Sequence, residues 1–198
     1  MQLSVNGRQI DIGDALRSHI EDSLNSIFEK YFGSAIDANV TLSRAGVMYH
    51  ARVNAHVGRG IQLVAEGQAD KPYAAFDGAA ERLSKRLRRH KRRLRDHHKD
   101  GTPLPEILAG RQYVLSGEES DEGAAADGEI RPDGQPAIIA EMSHEISTCT
   151  VSEAVMRLDL ADLPTLMFRN SAHGGLNVVY RRPDGNIGWI DPEGNAAT

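Results

Sequence analysis

The sequence predicts an α+β protein: an N-terminal two-layer domain of order β-α-β-β-β-α over residues 1–98, a flexible linker over 99–135 and a small C-terminal α/β unit over 136–198. Three observations predict it. Three consecutive segments between residues 36 and 66 alternate apolar and polar side chains. The segments on either side of them carry apolar residues at three- and four-residue spacing. A stretch rich in Gly, Pro and acids then separates this block from a last set of short apolar runs.

Residues 2–6 read as a short strand with Leu3 and Val5 on one face, followed by a turn at Asn6-Gly7. From about residue 11 to 31, Leu16, Ile20, Leu24, Ile27, Phe28 and Tyr31 form a helical stripe, with Gly33 placed to end it. In the strands that follow, Ile36, Ala38, Val40 and Leu42 share a face. So do Val47, Tyr49, Ala51, Val53, Ala55 and Val57, and then Ile61, Leu63 and Ala65. Such alternation marks strands with one buried and one wet face. Gly46 and Gly58-Arg59-Gly60 are short enough to make the three antiparallel neighbours. A long helix from about 71 to 98, opened by Asp70 and Pro72, carries Tyr73, Phe76, Ala80, Leu83, Leu87 and Leu94 as a narrow stripe against the sheet.

Residues 99–135 are punctuated by nine Gly and Pro residues and contain the acidic tract Glu118-Glu119-Ser120-Asp121-Glu122; they read as a solvating spacer. Beyond them, 137–140 suggest a strand and Thr150-Val151-Ser152-Glu153 a capping box opening a short helix. Residues 166–168, 177–181 and 187–190 are strand-like, with Pro183-Asp184-Gly185 as a turn. A unit this small, without disulfides, is marginal alone, and pairing with a second copy would bury its large apolar residues.

The net charge of −5 conceals a strong segregation. Ten of the 23 Lys and Arg residues lie between Arg82 and Lys99, opposed there only by Asp96. Like charges at three- and four-residue spacing repel along a helix, so the run points to an anionic partner. The opposite face is consumed as core, which leaves nothing apolar to insert into a membrane. Arg outnumbers Lys in the run, which suits bidentate phosphate contacts. No aromatics are interleaved for base stacking, so contacts are expected to the sugar-phosphate backbone. His50, Arg52, Asn54 and His56 line the wet sheet face and read first as solvated. His90, His97, His98, His144 and Cys149 lack metal-ligand spacing, and neither a phosphate loop nor a catalytic motif is present. No cofactor, metal, small-molecule substrate or enzymatic activity is therefore expected. The longest apolar runs are too short for a membrane span, the opening residues lack a signal-peptide pattern, and Cys149 is the one cysteine, which together predict a cytoplasmic protein.

The residues that carry a family resemblance are now in place. The opening Met1-Gln2-Leu3-Ser4-Val5-Asn6-Gly7 and the run Asp70-Lys71-Pro72-Tyr73-Ala74-Ala75-Phe76-Asp77 resemble the long-form ribosome hibernation promoting factors, whose N-terminal domain is shared with protein Y. So do Leu83-Ser84-Lys85-Arg86-Leu87-Arg88-Arg89-His90-Lys91 and, in the tail, Phe168-Arg169-Asn170 with residues 177–190. Phe76 stands where the family usually has Ile, Arg86 where it has Gln, and 163–166 lack its usual aromatic pair. The resemblance implies a translation regulator that binds the small ribosomal subunit and its 16S rRNA near the decoding centre. It would block mRNA and tRNA there, and would join two ribosomes by homodimerising through its C-terminal domain. On this reading Arg82, Lys85, Arg86, Arg89, Lys91, Arg92 and Arg93 meet rRNA phosphates. Tyr73, Phe76, Leu83 and Leu87 hold the helix to its sheet, and Asp70 and Asp77 serve the helix start. Phe168, Val178, Tyr180, Ile187 and Trp189 carry dimerisation. The competing reading is a general RNA-binding adaptor with a dimerising tail.

Overall fold

The computed structural model describes residues 2–32, 36–57, 61–99, 106–116 and 137–193, with residue 36 and residues 92–99 described in backbone only. Two sheets organise them. In the first, β1 (Gln2–Arg8), β2 (Ile36–Ala45), β3 (Met48–Val57) and β4 (Ile61–Ala69) stand in sequence order. β1 pairs with β2 in parallel because α1 (Asp14–Tyr31) crosses over between them; β2, β3 and β4 pair antiparallel. α1 and α2 (Pro72–Lys99) cover one face. Ile20, Leu24, Val40, Leu42, Val53, Leu63, Phe76, Leu83 and Leu87 are wholly buried between the layers. The predicted order β-α-β-β-β-α is the order found.

Several local expectations are corrected. Asn6-Gly7 does not turn: β1 continues to Arg8 along its pairing with β2, and the chain turns at Gln9, whose φ is 61°. Val47 is not on the buried face of β3; with Gly46 (φ 61°) it forms the two-residue tip between Ala45 and Met48, where it is 80% exposed. Gly33, Gly58-Arg59-Gly60 and the side chain of Leu94 lie outside the described residues. Tyr73 is 41% exposed and lies against the His19 ring, 5.3 Å between centroids, so of the four expected anchors Phe76, Leu83 and Leu87 are the buried ones, joined in the core by Ala75, Ala79 and Ala80. Asp77 sits in the second turn, 2.7 Å from His19 Nε2, and Asp70 stays exposed ahead of Pro72.

The second sheet has the order β5 (Ile107–Leu115), β6 (Ile138–Cys149), β7 (Thr165–Asn170), β8 (Leu176–Arg181) and β9 (Ile187–Ile190). β5 falls within the span read as linker, and this is the main correction to the predicted organisation. Gly and Pro dominate the composition of 99–135, yet Ile107, Leu108, Tyr113, Val114 and Leu115 are strand formers that find their ladder in β6. Pairing with a segment some thirty residues away is invisible to local pattern. The acidic tract 118–122 lies outside the described residues. β6 also runs on to Cys149, well past the strand expected at 137–140.

α3 (Val151–Leu160) crosses from β6 to the parallel β7, and it opens with the expected capping box: the Glu153 amide donates to the Thr150 hydroxyl at 3.2 Å and the Thr150 amide to the Glu153 carboxylate at 2.9 Å. This helix is apolar on two sides. Ala154 and Leu158 pack with Cys149, Phe168 and Val179 in the C-terminal core. Met156 and Leu160, both 0% exposed, enter the core of the first sheet instead. A helix buried on both sides joins what it separates. No helix among the described residues is long and apolar enough to cross a membrane.

Candidate nucleic-acid interface

The burial of Phe76, Leu83 and Leu87 against the sheet sets the orientation of α2 and turns its basic residues outward in two groups. The first group leans over β4, the edge strand. Arg82 Nη1 donates to the Glu66 carbonyl at 2.7 Å and Arg86 Nη1 to the Val64 carbonyl at 2.7 Å. Edge carbonyls have no neighbouring strand to satisfy them; these guanidinium groups do so. The second group, Lys85, Arg88, Arg89 and Lys91, is exposed. Lys85 Nζ lies 2.7 Å from Glu81 one turn earlier, and Lys91 Nζ lies 5.8 Å from the Tyr31 ring centroid.

The seven predicted phosphate ligands therefore do not act alike. Lys85, Arg89 and Lys91 are exposed, Arg82 and Arg86 already serve edge carbonyls, and the side chains of Arg92 and Arg93 lie outside the described residues. Arg88, absent from that set, stands exposed among its members; its place in the basic run from Arg82 to Lys99 was the signal for it.

The charge on α2 meets an acidic complement that the sequence reading did not single out. Asp159, on α3, lies with Oδ2 2.8 Å from Arg89 Nη2 and 2.6 Å from His90 Nε2, and its Oδ1 accepts from Arg181 Nη2 at 3.4 Å. Asp162, just beyond α3 at φ 54°, accepts from Arg86 Nη2 at 2.7 Å. The hydrogen bond with His90, aided by the Arg89 guanidinium, holds the Asp159 carboxyl down at about 2 despite its partial burial.

On the outer face of the first sheet, Arg52 lies 3.3 Å from Glu66, and His56 Nε2 lies 3.1 Å from the Gln62 amide. That face is balanced in charge and matches the solvated reading. Cys149 is buried, and burial pushes its thiol up to about 11, far from a reactive thiolate. The side chains of His97 and His98 lie outside those described, and among the described residues no three His, Cys, Asp or Glu side chains gather as metal ligands would.

The five residues predicted for dimerisation do not share a face. In the β7-β8-β9 register, Leu166 opposes Val179 and Val179 opposes Trp189, which places them on the α3 side with Phe168 and Ile187. Phe168 is 1% exposed within the C-terminal core and is not available to a partner. Trp189, half exposed at the margin, donates from Nε1 to Asn177 Oδ1 at 2.9 Å. Met167 opposes Val178, Val178 opposes Ile190, and Tyr180 opposes Gly188 on the other side. Gly188 lets the Tyr180 ring lie across it, a place that a Cβ would take from the ring. Val178 and Tyr180 thus belong to an outer apolar face with Met167 and Ile190.

Comparison with known proteins places both halves of the chain. Residues 3–95 match the family described as "Sigma 54 modulation protein / S30EA ribosomal protein", and residues 133–188 match its C-terminal counterpart. The chain is similar to the ribosome hibernation promotion factor of Rhizobium meliloti, at 40% identity over 191 residues that cover 96% of this chain and 97% of that protein. The protein of the same name from Bradyrhizobium diazoefficiens is 36% identical over 206 residues, covering 100% and 97%. Among solved structures, the N-terminal domain of Thermus thermophilus Protein Y covers 45% of this chain and 98% of its own, at 30% identity and a TM-score of 0.42.

Proposed function

Since the chain belongs to the sigma 54 modulation / S30EA ribosomal protein family, we propose that it is a ribosome hibernation factor: it binds the small subunit near the decoding centre, excludes mRNA and tRNA, and pairs ribosomes through its C-terminal unit. The family is one of ribosome-associated factors rather than enzymes, and relatives named for ribosome hibernation match it over nearly their whole length. The observation that carries the rRNA-binding reading is the group of solvent-exposed cations Lys85, Arg88, Arg89 and Lys91, of which Arg89 also reaches Asp159, on a helix whose opposite face is core. Cations fixed on a rigid helix track phosphates at low entropic cost, and the absence of stacking aromatics suits recognition by backbone and shape.

The proposed division of labour assigns residues 1–98 to rRNA and the unit that begins at β5 to pairing, with the outer face of Met167, Val178, Tyr180 and Ile190 as the surface for a second copy. Face-to-face burial of such a sheet gives an isologous, two-fold interface.

The test is sedimentation of purified ribosomes through sucrose with the full chain, with residues 1–98, and with Lys85→Glu/Arg89→Glu. Co-sedimentation of the first two, ribosome pairs with the full chain alone, and loss of binding on charge reversal are expected. Undiminished binding by the charge-reversed protein overturns the assignment to α2. Displacement by tRNA and mRNA separates a decoding-site ligand from a general RNA-binding adaptor, which neither would displace.

A further inference from the structure

We propose that α3 and the turn that follows it act as a built-in mimic of the RNA backbone: docked on α2, their carboxylates Asp159 and Asp162 hold the Arg86, Arg89 and His90 side chains, and RNA takes this face fully only after the C-terminal unit leaves it. This inference rests on the reading of α2 as the rRNA-binding helix.

Three observations carry it. A carboxylate that holds several hydrogen-bonding side chains offers them the chemistry of a phosphate, and Asp159 stands within reach of the Arg89 guanidinium and the His90 imidazole of α2 at 2.8 and 2.6 Å. Coverage is also partial. Arg88 and Lys91 stay exposed while Arg86 and His90 are largely shielded, so RNA has a first foothold that needs no opening. Finally, the acids bring their own counter-charge. Arg181 of β8 reaches Asp159 at 3.4 Å and Asp162 at 3.8 Å from within the C-terminal unit. When α3 departs, Arg181 travels with both carboxylates and they are not left unpaired. The α2 cations then exchange one set of anionic oxygens for another, and no bare charge is exposed on either side.

What the closed form retains is the burial of Met156 and Leu160 in the N-terminal core, which opposes opening. RNA affinity is then reduced by the fraction of molecules that are open. Binding proceeds in two stages, with capture at Arg88 and Lys91 followed by displacement of α3.

The experiment titrates the full chain against purified small ribosomal subunits at one fixed salt concentration. Asp159→Asn/Asp162→Asn is expected to bind about tenfold more tightly than the unmodified protein, since the open fraction rises; equal or weaker affinity overturns the proposal. Amide exchange across Val151–Leu160 in the unmodified protein is read in parallel and does not depend on how the variant folds. Exchange there is expected to accelerate when subunits bind, and unchanged protection overturns the proposal. Arg88→Glu/Lys91→Glu, which leaves the contacts of α3 in place, separates the two failures. If this variant loses affinity while α3 stays protected in the bound state, the mimic is wrong and the α2 reading stands. If it binds undiminished, the α2 reading falls and the mimic falls with it.

Discussion

His90 Nε2 stands 2.6 Å from Asp159 Oδ2, and through this pair the helix that carries the cations is fastened to the helix that opens the second sheet's crossover. The two side chains are 8% and 15% exposed, so the contact is screened far less than an ion pair on the surface. Asp159 also holds Arg89, and the same helix inserts Met156 and Leu160 into the N-terminal core. The polar and the apolar contacts of α3 therefore hold or release together.

Asp159 gives this contact a pH signature. Its carboxyl is held near 2 in the folded chain against an ordinary 3.8, so its ionised form stabilises the fold fully above about 3.8, and that contribution is lost as the pH falls toward 2. At pH 7, Asp159→Asn is expected to lower stability in urea by about 2 kcal/mol. The gap between variant and unmodified protein should close as the pH is lowered through this window, because the variant has no carboxyl to protonate.

Gly67 permits α2 to lie directly on β4: a Cβ there would collide with the Ala75 carbonyl oxygen and the Ala79 amide nitrogen, which are helix backbone and cannot swing aside. Gly67→Ala is expected to destabilise the N-terminal layer by about 3 kcal/mol, at the upper end of overpacking costs. Thermal unfolding followed by circular dichroism measures it.

The two faces of the second sheet predict opposite phenotypes. Phe168→Ala removes a buried ring and should cost about 3–5 kcal/mol in urea unfolding. Val178→Asp places a charge on the outer face and should abolish self-association in sedimentation equilibrium while leaving the unfolding midpoint of the monomer nearly unchanged.

Phosphate contacts release counter-ions, so each one lost should flatten the dependence of log affinity on log salt by about one unit. Arg88→Ala and Lys91→Ala should each do so in ribosome-binding titrations. Arg82→Ala should act mainly on stability, because its guanidinium serves the Glu66 carbonyl.

Local pattern made the first sheet legible because its strands alternate with period two and its helices repeat at 3.6, and both periods reflect burial on one side only. It failed where an element is paired at long range, and it found α3 without showing which of its sides meets which core. The Ala154-Leu158 and Met156-Leu160 sides of α3 blur any single stripe, and β5 was hidden in a span whose Gly and Pro content spoke louder than its nine strand residues. The outer-face pairing of Val178 with Ile190 and Met167, against Phe168 on the inner face, also depended on register, which no single strand displays.

The sequence by itself determined the family, the order of the N-terminal elements, the basic face of α2 and the capped start of α3, because composition, periodicity and capping are properties of neighbouring residues. Only the tertiary structure decided which cations are open and which are engaged. Arg86 and Arg89 look alike along the helix, yet one bridges an edge carbonyl and Asp162 while the other, two-thirds exposed, reaches Asp159. The acids that meet them lie some seventy residues further along the chain, and a charge interaction depends on distance through space and on the water around it.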